Sequence, residues 1–158
     1  MHAALLSDRG VIKLSGEDAK AFLNGLVTAD PTRLQPGAGR FGALLTPQGK
    51  IVADFLVTEA PAGDGGGLLI DCPRALAGPL ATKLGFYKLR AKVTVANLSD
   101  AVGVLALWGG EPAATADFRF RDPRAEGLGW RILIAPETAA AGAAAAGGGM
   151  TAEAAYEA

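Results

Sequence analysis

One aspartate lies in the middle of an apolar strand, and no other residue of this sequence is better suited to chemistry. Residues 40–58 predict two strands joined by a turn at Pro47-Gln48-Gly49, because proline presets φ at the first central turn position and glycine tolerates a positive φ. Side chains alternate between the two faces of a strand, so Asp54 shares a face with Val52 and Leu56. Both faces are apolar, and we therefore expect the Asp54 carboxylate to be desolvated.

A desolvated carboxylate has two interpretations. Burial of an unpaired charge is costly, so such a residue is usually a partner in a buried ion pair or a member of a binding or catalytic site. The residues around Asp54 leave both interpretations open.

The composition limits the classes of protein that are possible. The chain has 158 residues, of which 50% are hydrophobic and 20% are charged, and its formal net charge is -1. This length suits a single domain with a proper core. A charge so close to zero gives no strong case for binding nucleic acid or an anionic membrane. No apolar run approaches the roughly 18 residues of a transmembrane helix.

The few residues that bind metals or act as nucleophiles exclude several kinds of site. Cys72 is the single cysteine, which excludes an internal disulfide and fits a reducing compartment. His2 is the single histidine, so neither a His/Cys metal site nor a Ser–His or Cys–His nucleophile pair is expected. The N-terminus lacks the basic start of a signal peptide. We expect a cytoplasmic protein with no catalytic and no metal-binding residue assigned.

The first half of the chain alternates strands and helices. A strand at residues 11–14 precedes a helix whose apolar stripe covers residues 19–27, with Ser15 and Asp18 as a capping pair. After the 40–58 hairpin, a glycine-rich tip at residues 63–67 leads into a further strand.

The second helix and the next strands follow. Strand residues 68–71 precede a helical stripe at residues 76–84, for which Gly85 is a natural C-terminal cap and Pro79 predicts a late start or a kink. Residues 87–95 then alternate cleanly, which predicts a strand.

On that predicted strand, Lys88, Arg90 and Lys92 form a cationic row. Either this row is a solvated face, or the bidentate guanidinium of Arg90 binds a ligand carboxylate or pairs with Asp54.

The remaining elements complete an α+β fold. Strands are expected at residues 102–108 and 130–134, separated by a loop in which Phe118-Arg119-Phe120-Arg121 is either an edge strand or a weak single-strand-binding motif. We predict a β-α-β-β-β-α-β core, a mostly antiparallel sheet with both helices on one face. The expected core residues are Phe22, Leu26, Leu44, Ile51, Phe55, Leu69, Leu80, Val93 and Leu105.

The C-terminal segment has an unusual composition. Residues 137–149 are nearly all alanine and glycine, which we expect to remain unordered because they can bury little surface. Residues 151–158 begin a helix that stops after about two turns, too short to be stable alone. We therefore divide the chain into a region 1–136 and a linker with a truncated helix start at 137–158, and we expect a piece of a longer protein.

Four blocks of the sequence occur in order along the chain: residues 22–30 (FLNGLVTAD), 45–54 (LTPQGKIVAD), 87–93 (YKLRAKV) and 122–131 (DPR followed by LGWR). Together they resemble the YgfZ-type folate-binding proteins, members of the superfamily of the glycine-cleavage T-protein (aminomethyltransferase). The resemblance covers about residues 5–135.

This resemblance implies a partial T-protein-like folate-binding fold with tetrahydrofolate as the ligand. Asp54 matches the T-protein aspartate that lies near the reactive folate nitrogen, and Asp71 matches a polar pterin contact of a different residue type. Tyr87, Arg90 and Lys92 fall in a block typical of the YgfZ type, and the resemblance makes them ligand-binding candidates.

Two functions remain open, together with a structural alternative. The resemblance implies a folate-binding accessory protein for iron–sulfur cluster assembly or repair, linked to tRNA modification, with folate and iron–sulfur proteins or assembly factors as partners. YgfZ-type proteins carry a downstream Lys-Gly-Cys-x-x-Gly-Gln-Glu motif, which this chain lacks and which Cys72 does not replace. An aminomethyl or one-carbon transferase is the alternative, and a non-catalytic fragment is the second alternative. Whether the chain is an enzyme is open.

Overall fold

The structure, a computed structural model, describes residues 1–62, 65–113 and 119–157, which form two five-stranded sheets. In chain order the elements are β1 (His2–Leu6), β2 (Arg9–Ser15), α1 (Ala19–Asn24), β3 (Gly39–Leu45), β4 (Ile51–Glu59), β5 (Leu68–Pro73), α2 (Arg74–Tyr87), β6 (Thr94–Asn97), β7 (Gly103–Trp108), β8 (Arg119–Arg121), β9 (Trp130–Ile134), α3 (Ala139–Ala145), β10 (Gly149–Met150) and α4 (Ala154–Glu157). No helix in these ranges is both long and apolar enough to cross a membrane.

The first sheet is the predicted β-α-β-β-β-α-β core, which is confirmed. Its strand order is β3-β4-β5-β2-β6, and every neighbouring pair is antiparallel. Both α1 and α2 contribute to the hydrophobic cluster on one of its faces. We call this the helix-backed sheet.

The helices pack on the strands through the apolar stripes expected from the sequence. Leu23 of α1 and Leu80 and Leu84 of α2 are fully buried against Phe55 and Ile70. Burial of one such side chain is worth about 1.5–3 kcal/mol. The helix-strand contacts therefore account for much of the stability of this half.

The second sheet contains the strands predicted at residues 102–108 and 130–134, which are observed as β7 and β9. Its order is β10-β1-β7-β9-β8, and β1 pairs antiparallel with β7 from His2 opposite Trp108 to Leu6 opposite Val104. Strand β1 is an element that the sequence patterning missed. Edge strand β8 holds three residues of the Phe118–Arg121 motif, and Phe118 lies outside the described residues.

The two sheets face each other through a smaller apolar cluster. Val11 and Leu69 of the helix-backed sheet pack with Leu6, Val104 and Ala106 of the second sheet. The helix-backed sheet is thus covered by helices on one face and partly covered by the second sheet on the other. We call this second face the inner face.

The expected strand at residues 87–95 is wrong. Helix α2 runs without interruption through Pro79 and past Gly85 to Tyr87, and only residues from Thr94 onward are extended. Leu89 lies between them with φ 42°, in the left-handed region. The alternation of this segment therefore arises from a helix end and a turn, and the predicted cationic row does not exist as one strand face.

Two smaller expectations are also corrected. Ser15 does not cap α1, because it belongs to β2 and pairs there with Thr94. Asp18 directly precedes α1, and its side chain accepts a hydrogen bond from the Lys92 backbone N–H at 2.8 Å. Ile51, an expected core residue, is 65% exposed because it begins β4 beyond the packed region. Of the other expected core residues, Phe22 and Leu26 are half-buried and the rest are buried.

The alanine- and glycine-rich segment is ordered, contrary to expectation. Ala139 and Ala143 of helix α3, and Ala146 just after it, are buried against the second sheet, and β10 pairs in parallel with β1. A side chain at Gly142 would meet the Ile134 side chain at 2.5 Å. Small residues are required here because the helix backbone approaches the sheet closely, so tertiary contacts supply the order that the composition alone cannot. The division of the chain at residue 136 stays a prediction.

Candidate functional site

Asp54 lies in the first half of β4, on the inner face of the helix-backed sheet. Neighbouring residues Ala53 and Phe55 point to the opposite face and belong to the core beneath the helices. Asp54 is exposed, whereas Leu56, the next residue on its own face, is buried. The expectation of a desolvated carboxylate is therefore wrong. Strand β4 extends beyond the part of the inner face that the second sheet covers, and strand alternation does not reveal where that cover ends.

A small apolar surface surrounds the Asp54 carboxylate. Asp54 pairs directly with Ala43 of β3, and Phe41 lies two residues away on the same face, 50% exposed. The Ala43 N–H donates to Thr28 Oγ1 at 2.9 Å, which ties the outer edge of β3 to the segment after α1. No described residue donates a hydrogen bond to the Asp54 carboxylate or forms an ion pair with it. We call Phe41, Ala43 and Asp54 the open ledge.

A separate cavity lies at the start of β3, and no residue of the open ledge lines it. Gly39, two residues before Phe41 on the same face, lines a cavity of about 550 Å³ together with Ala38, Arg121 and Asp122. This volume lies within the usual range for small-molecule sites, about 300–1,000 Å³. The ledge offers an aromatic side chain and a carboxylate with no partner among the described residues, and the cavity is a distinct open space two residues further along β3.

A chain of alternating charges lies next to this surface, between the two sheets. Asp71 of β5 is opposite Leu56 and is 1% exposed. Its Oδ1 accepts from Arg9 Nε at 2.7 Å, and its Oδ2 accepts from Arg131 Nη1 at 2.6 Å. Arg131 belongs to β9, so this contact joins the helix-backed sheet to the second sheet.

The charge chain continues through the second sheet to the solvent. Arg131 Nε donates to Asp122 Oδ2 at 3.1 Å, and Arg124 donates to both oxygens of the same carboxylate, from Nε at 3.0 Å and from Nη2 at 2.7 Å. We call Arg9, Asp71, Arg131, Asp122 and Arg124 the inter-sheet charge chain.

Pairing shifts the pKa values of Asp122 and Arg131 in the inter-sheet charge chain. Burial alone would raise the pKa of Asp122, but the hydrogen bonds from the Arg124 side chain and backbone and the charge of Arg131 hold it below its usual value. Burial would lower the pKa of Arg131, yet the adjacent Asp71 carboxylate raises it. Asp122 and Arg131 therefore remain charged at neutral pH.

Asp71, a predicted ligand contact, is fully engaged inside the protein. Both of its oxygens accept from arginines, and its side chain is 1% exposed. The buried ion-pair partner that the sequence suggested at Asp54 is therefore found at Asp71. In this structure Asp71 has no free oxygen for a pterin, and its role as a ligand contact has no geometric support.

The other three predicted site residues lie far from Asp54. Tyr87 is the last residue of α2, Arg90 is exposed in the following turn, and the Lys92 side chain pairs with Glu17 at 2.9 Å. These three residues precede Thr94, which pairs with Ser15 at the end of β2. Asp54 is level with the other end of β2, at Arg9. The two ends of β2 are roughly 20 Å apart at the strand rise of about 3.3 Å per residue. The structure does not bring Arg90 to Asp54.

Sequence reasoning gave no role to four members of the charge chain, Arg9, Arg131, Asp122 and Arg124. A signal was present, since Arg131 interrupts an otherwise apolar strand in the same way as Asp71 interrupts β5. An acidic residue in one apolar strand and a basic residue in another could have suggested an ion pair between Asp71 and Arg131.

Cys72 is a core residue and not a reactive thiol. It is fully buried under the helices, and burial raises its pKa to about 12. Thiolates are the reactive form of cysteine. The structure thus agrees with the inference that Cys72 does not replace the downstream cysteine motif.

The fold and the sequence together define the class of this protein. The family described as the GCVT N-terminal domain matches residues 6–157, so the chain belongs to that family. Its fold is that of the glycine-cleavage T-protein: aminomethyltransferase T of the glycine cleavage system from Bartonella henselae has a TM-score of 0.73 and 19% identity, with 96% of this chain and 47% of that chain covered.

Curated relatives carry a narrower description. The chain is 34% identical over 136 residues to the iron–sulfur cluster assembly factor IBA57 homolog, mitochondrial, of Pyricularia oryzae, covering 81% of this chain and 34% of that protein. It is 28% identical over 153 residues to the human iron–sulfur cluster assembly factor IBA57, mitochondrial, covering 84% of this chain and 42% of the human protein. The chain therefore spans well under half the length of these relatives.

The relatives also correct the expected location. The IBA57 proteins of Pyricularia oryzae, Mycosarcoma maydis and Homo sapiens are all described as mitochondrial. The expectation of a cytoplasmic protein is therefore wrong. It rested on composition and on a single cysteine, which do not distinguish two reducing compartments.

Proposed function

We propose that this chain is the N-terminal part of an iron–sulfur cluster assembly factor and that it binds tetrahydrofolate at the open ledge. Membership of the GCVT family and the similarity to IBA57 proteins support the first half of the proposal. The observation that carries the second half is Asp54: an exposed carboxylate without a partner among the described residues, fixed in the middle of a nine-residue strand beside Phe41.

The residues of the ledge suit a reduced pterin. A carboxylate accepts hydrogen bonds from the amino and ring N–H groups of an aminopyrimidine, and a half-exposed phenylalanine offers an apolar face for the ring. Strand β4 pairs with β3 at Asp54 itself and with β5 from Leu56 onward, so the backbone of Asp54 is held in position before the ligand arrives. Preorganisation of this kind reduces the entropy lost on binding.

The open side of the ledge limits the affinity. Small-molecule sites usually bury 70–90% of the ligand surface, whereas Asp54 and Phe41 are exposed on this chain. We therefore expect binding in the high-micromolar to millimolar range, and a dissociation constant below micromolar would contradict this account of the site.

A nuclear magnetic resonance titration with tetrahydrofolate tests the proposal. Amide shifts should move at Phe41, Ala43, Asp54 and Leu56, and Asp54→Asn should weaken binding by roughly ten-fold, the loss of one charge-assisted hydrogen bond. Glu137→Gln is the matched control, because Glu137 is also an exposed carboxylate but lies in the turn before α3. Shifts confined to other regions, or equal affinities for wild type and Asp54→Asn, would refute the folate site.

The aminomethyltransferase alternative rests on the shared fold alone, since the structural similarity comes with 19% identity. It stays a prediction, as does the link to tRNA modification. A glycine-cleavage assay with the other components of that system would show transferase activity if the alternative holds.

A further inference from the structure

The end of helix α2 carries three exposed apolar side chains that the proposed function does not use. Phe86 is 73% exposed, Tyr87 44% and Leu89 87%, all within four residues. Large apolar side chains that are exposed to water next to one another usually mark a site of contact with a partner or a membrane. We call Phe86, Tyr87 and Leu89 the apolar tip.

Leu89 of the apolar tip has an unfavourable backbone conformation, and its side chain is exposed to solvent. Leu89 has φ 42°, and no other non-glycine residue in the described ranges has a positive φ. This conformation is unfavourable for a leucine, and an asparagine or glycine would adopt it at lower cost. A strained leucine that is also the most exposed of these residues does not serve the stability of the chain, and such strain is typical of functional positions.

Basic residues outnumber acidic ones around the apolar tip, where Glu17 and Asp18 both contact Lys92. Residues 83–93 include Lys83, Lys88, Arg90 and Lys92 and no acidic residue. Lys92 pairs with Glu17, and no described carboxylate forms an ion pair with the other three. The chain has a net charge of -1, but this end of the molecule is locally cationic.

The size and shape of this feature favour a lipid surface over a protein partner. A standard protein interface buries about 800 Å² on each side, with 20–30 residues, and three side chains at a helix end are too few. A bilayer adapts to a small apolar tip, and stable attachment combines apolar insertion with basic residues that contact anionic headgroups. We propose that the apolar tip inserts into the interface of an anionic membrane, with Lys83, Lys88 and Arg90 on the headgroups.

Vesicle co-sedimentation of the whole chain tests this proposal. The chain should bind phosphatidylcholine vesicles that contain phosphatidylglycerol and bind pure phosphatidylcholine vesicles several-fold more weakly. Leu89→Asn should weaken binding by roughly ten-fold or more, as expected from the loss of one inserted leucine. The same variant should unfold at equal or higher urea concentration, because asparagine tolerates the left-handed region. These opposite effects separate a contact role from a structural one.

Two further variants control for general loss of apolar surface and of charge. Ile51→Asn removes another exposed apolar side chain, 65% exposed at the far end of the helix-backed sheet, and should leave vesicle binding unchanged. Lys88→Gln with Arg90→Gln should remove the preference for anionic vesicles. Wild-type protein that fails to bind anionic vesicles, or equal losses for Leu89→Asn and Ile51→Asn, would overturn the proposal and leave a protein partner as the occupant of the apolar tip.

Discussion

Arg131 should be the most costly single residue to remove from the inter-sheet charge chain. Its side chain is 2% exposed, and it donates to Asp71 and Asp122, whose side chains are 1% and 0% exposed. Replacement by methionine preserves much of the apolar volume but deletes the cation between two buried carboxylates. Arg9 and Arg124 would each remain as the single arginine of one carboxylate.

The magnitude follows from the energetics of buried ion pairs. Removal of one partner from a buried pair typically costs about 3–5 kcal/mol, because the remaining charge is left uncompensated. The stability of a domain is about 5–15 kcal/mol. At roughly 2–4 °C per kcal/mol for a chain of this size, Arg131→Met should lower the melting temperature by about 6–20 °C.

Urea and thermal unfolding followed by circular dichroism provide the assay, with a double-mutant cycle to isolate the pair. Arg131→Met and Asp71→Asn should each destabilise the chain, and the double variant should lose less than the sum of the two by about 1–3 kcal/mol. Arg121→Met is the matched control: Arg121 is 53% exposed with Glu111 at 3.9 Å, and its loss should change stability by about 0.5 kcal/mol or less. A cost below about 1 kcal/mol for Arg131→Met, or additive costs in the cycle, would refute the reasoning.

Three other predictions concern individual side chains. The pKa of Asp122 is held below its ordinary 3.8, so the stability that it contributes is present above about pH 4 and is lost as the pH falls through the lower folded-state value. Urea unfolding of Asp122→Asn should therefore show lower stability at neutral pH and a flatter decline in acid. A decline as steep as that of the wild type would contradict this prediction. Arg90→Leu should leave urea stability within about 0.5 kcal/mol, because Arg90 is exposed and far from Asp54, and a large loss would show a partner that the structure lacks. Cys72 should resist thiol reagents until the chain unfolds, because its pKa is raised to about 12, and rapid labelling of the native protein would disprove its burial.

The sequence by itself predicted the order of helices and strands in the helix-backed sheet. The stripe from Ala19 to Val27 and the turn at Pro47-Gln48-Gly49 are local patterns, and local patterns reveal the period and the ends of helices and strands. They did not distinguish a helix end from a strand at residues 87–95, because a short run in which apolar residues alternate with three basic residues is compatible with either structure. Order in the alanine-rich helix was equally invisible, since it depends on close packing against Ile134.

The candidate site was half determined by the sequence. Asp54 was identified from its neighbours, but its exposure depends on where the second sheet ends, which strand alternation does not encode. The charge chain was decided by the tertiary structure alone: Asp71 and Arg131 are 60 residues apart in the chain and meet at 2.6 Å only when the two sheets pack. Asp54 and Asp71 both interrupt apolar strands, and only the packing of distant strands shows that Asp71 is the buried one and that Arg9 and Arg131 are its partners.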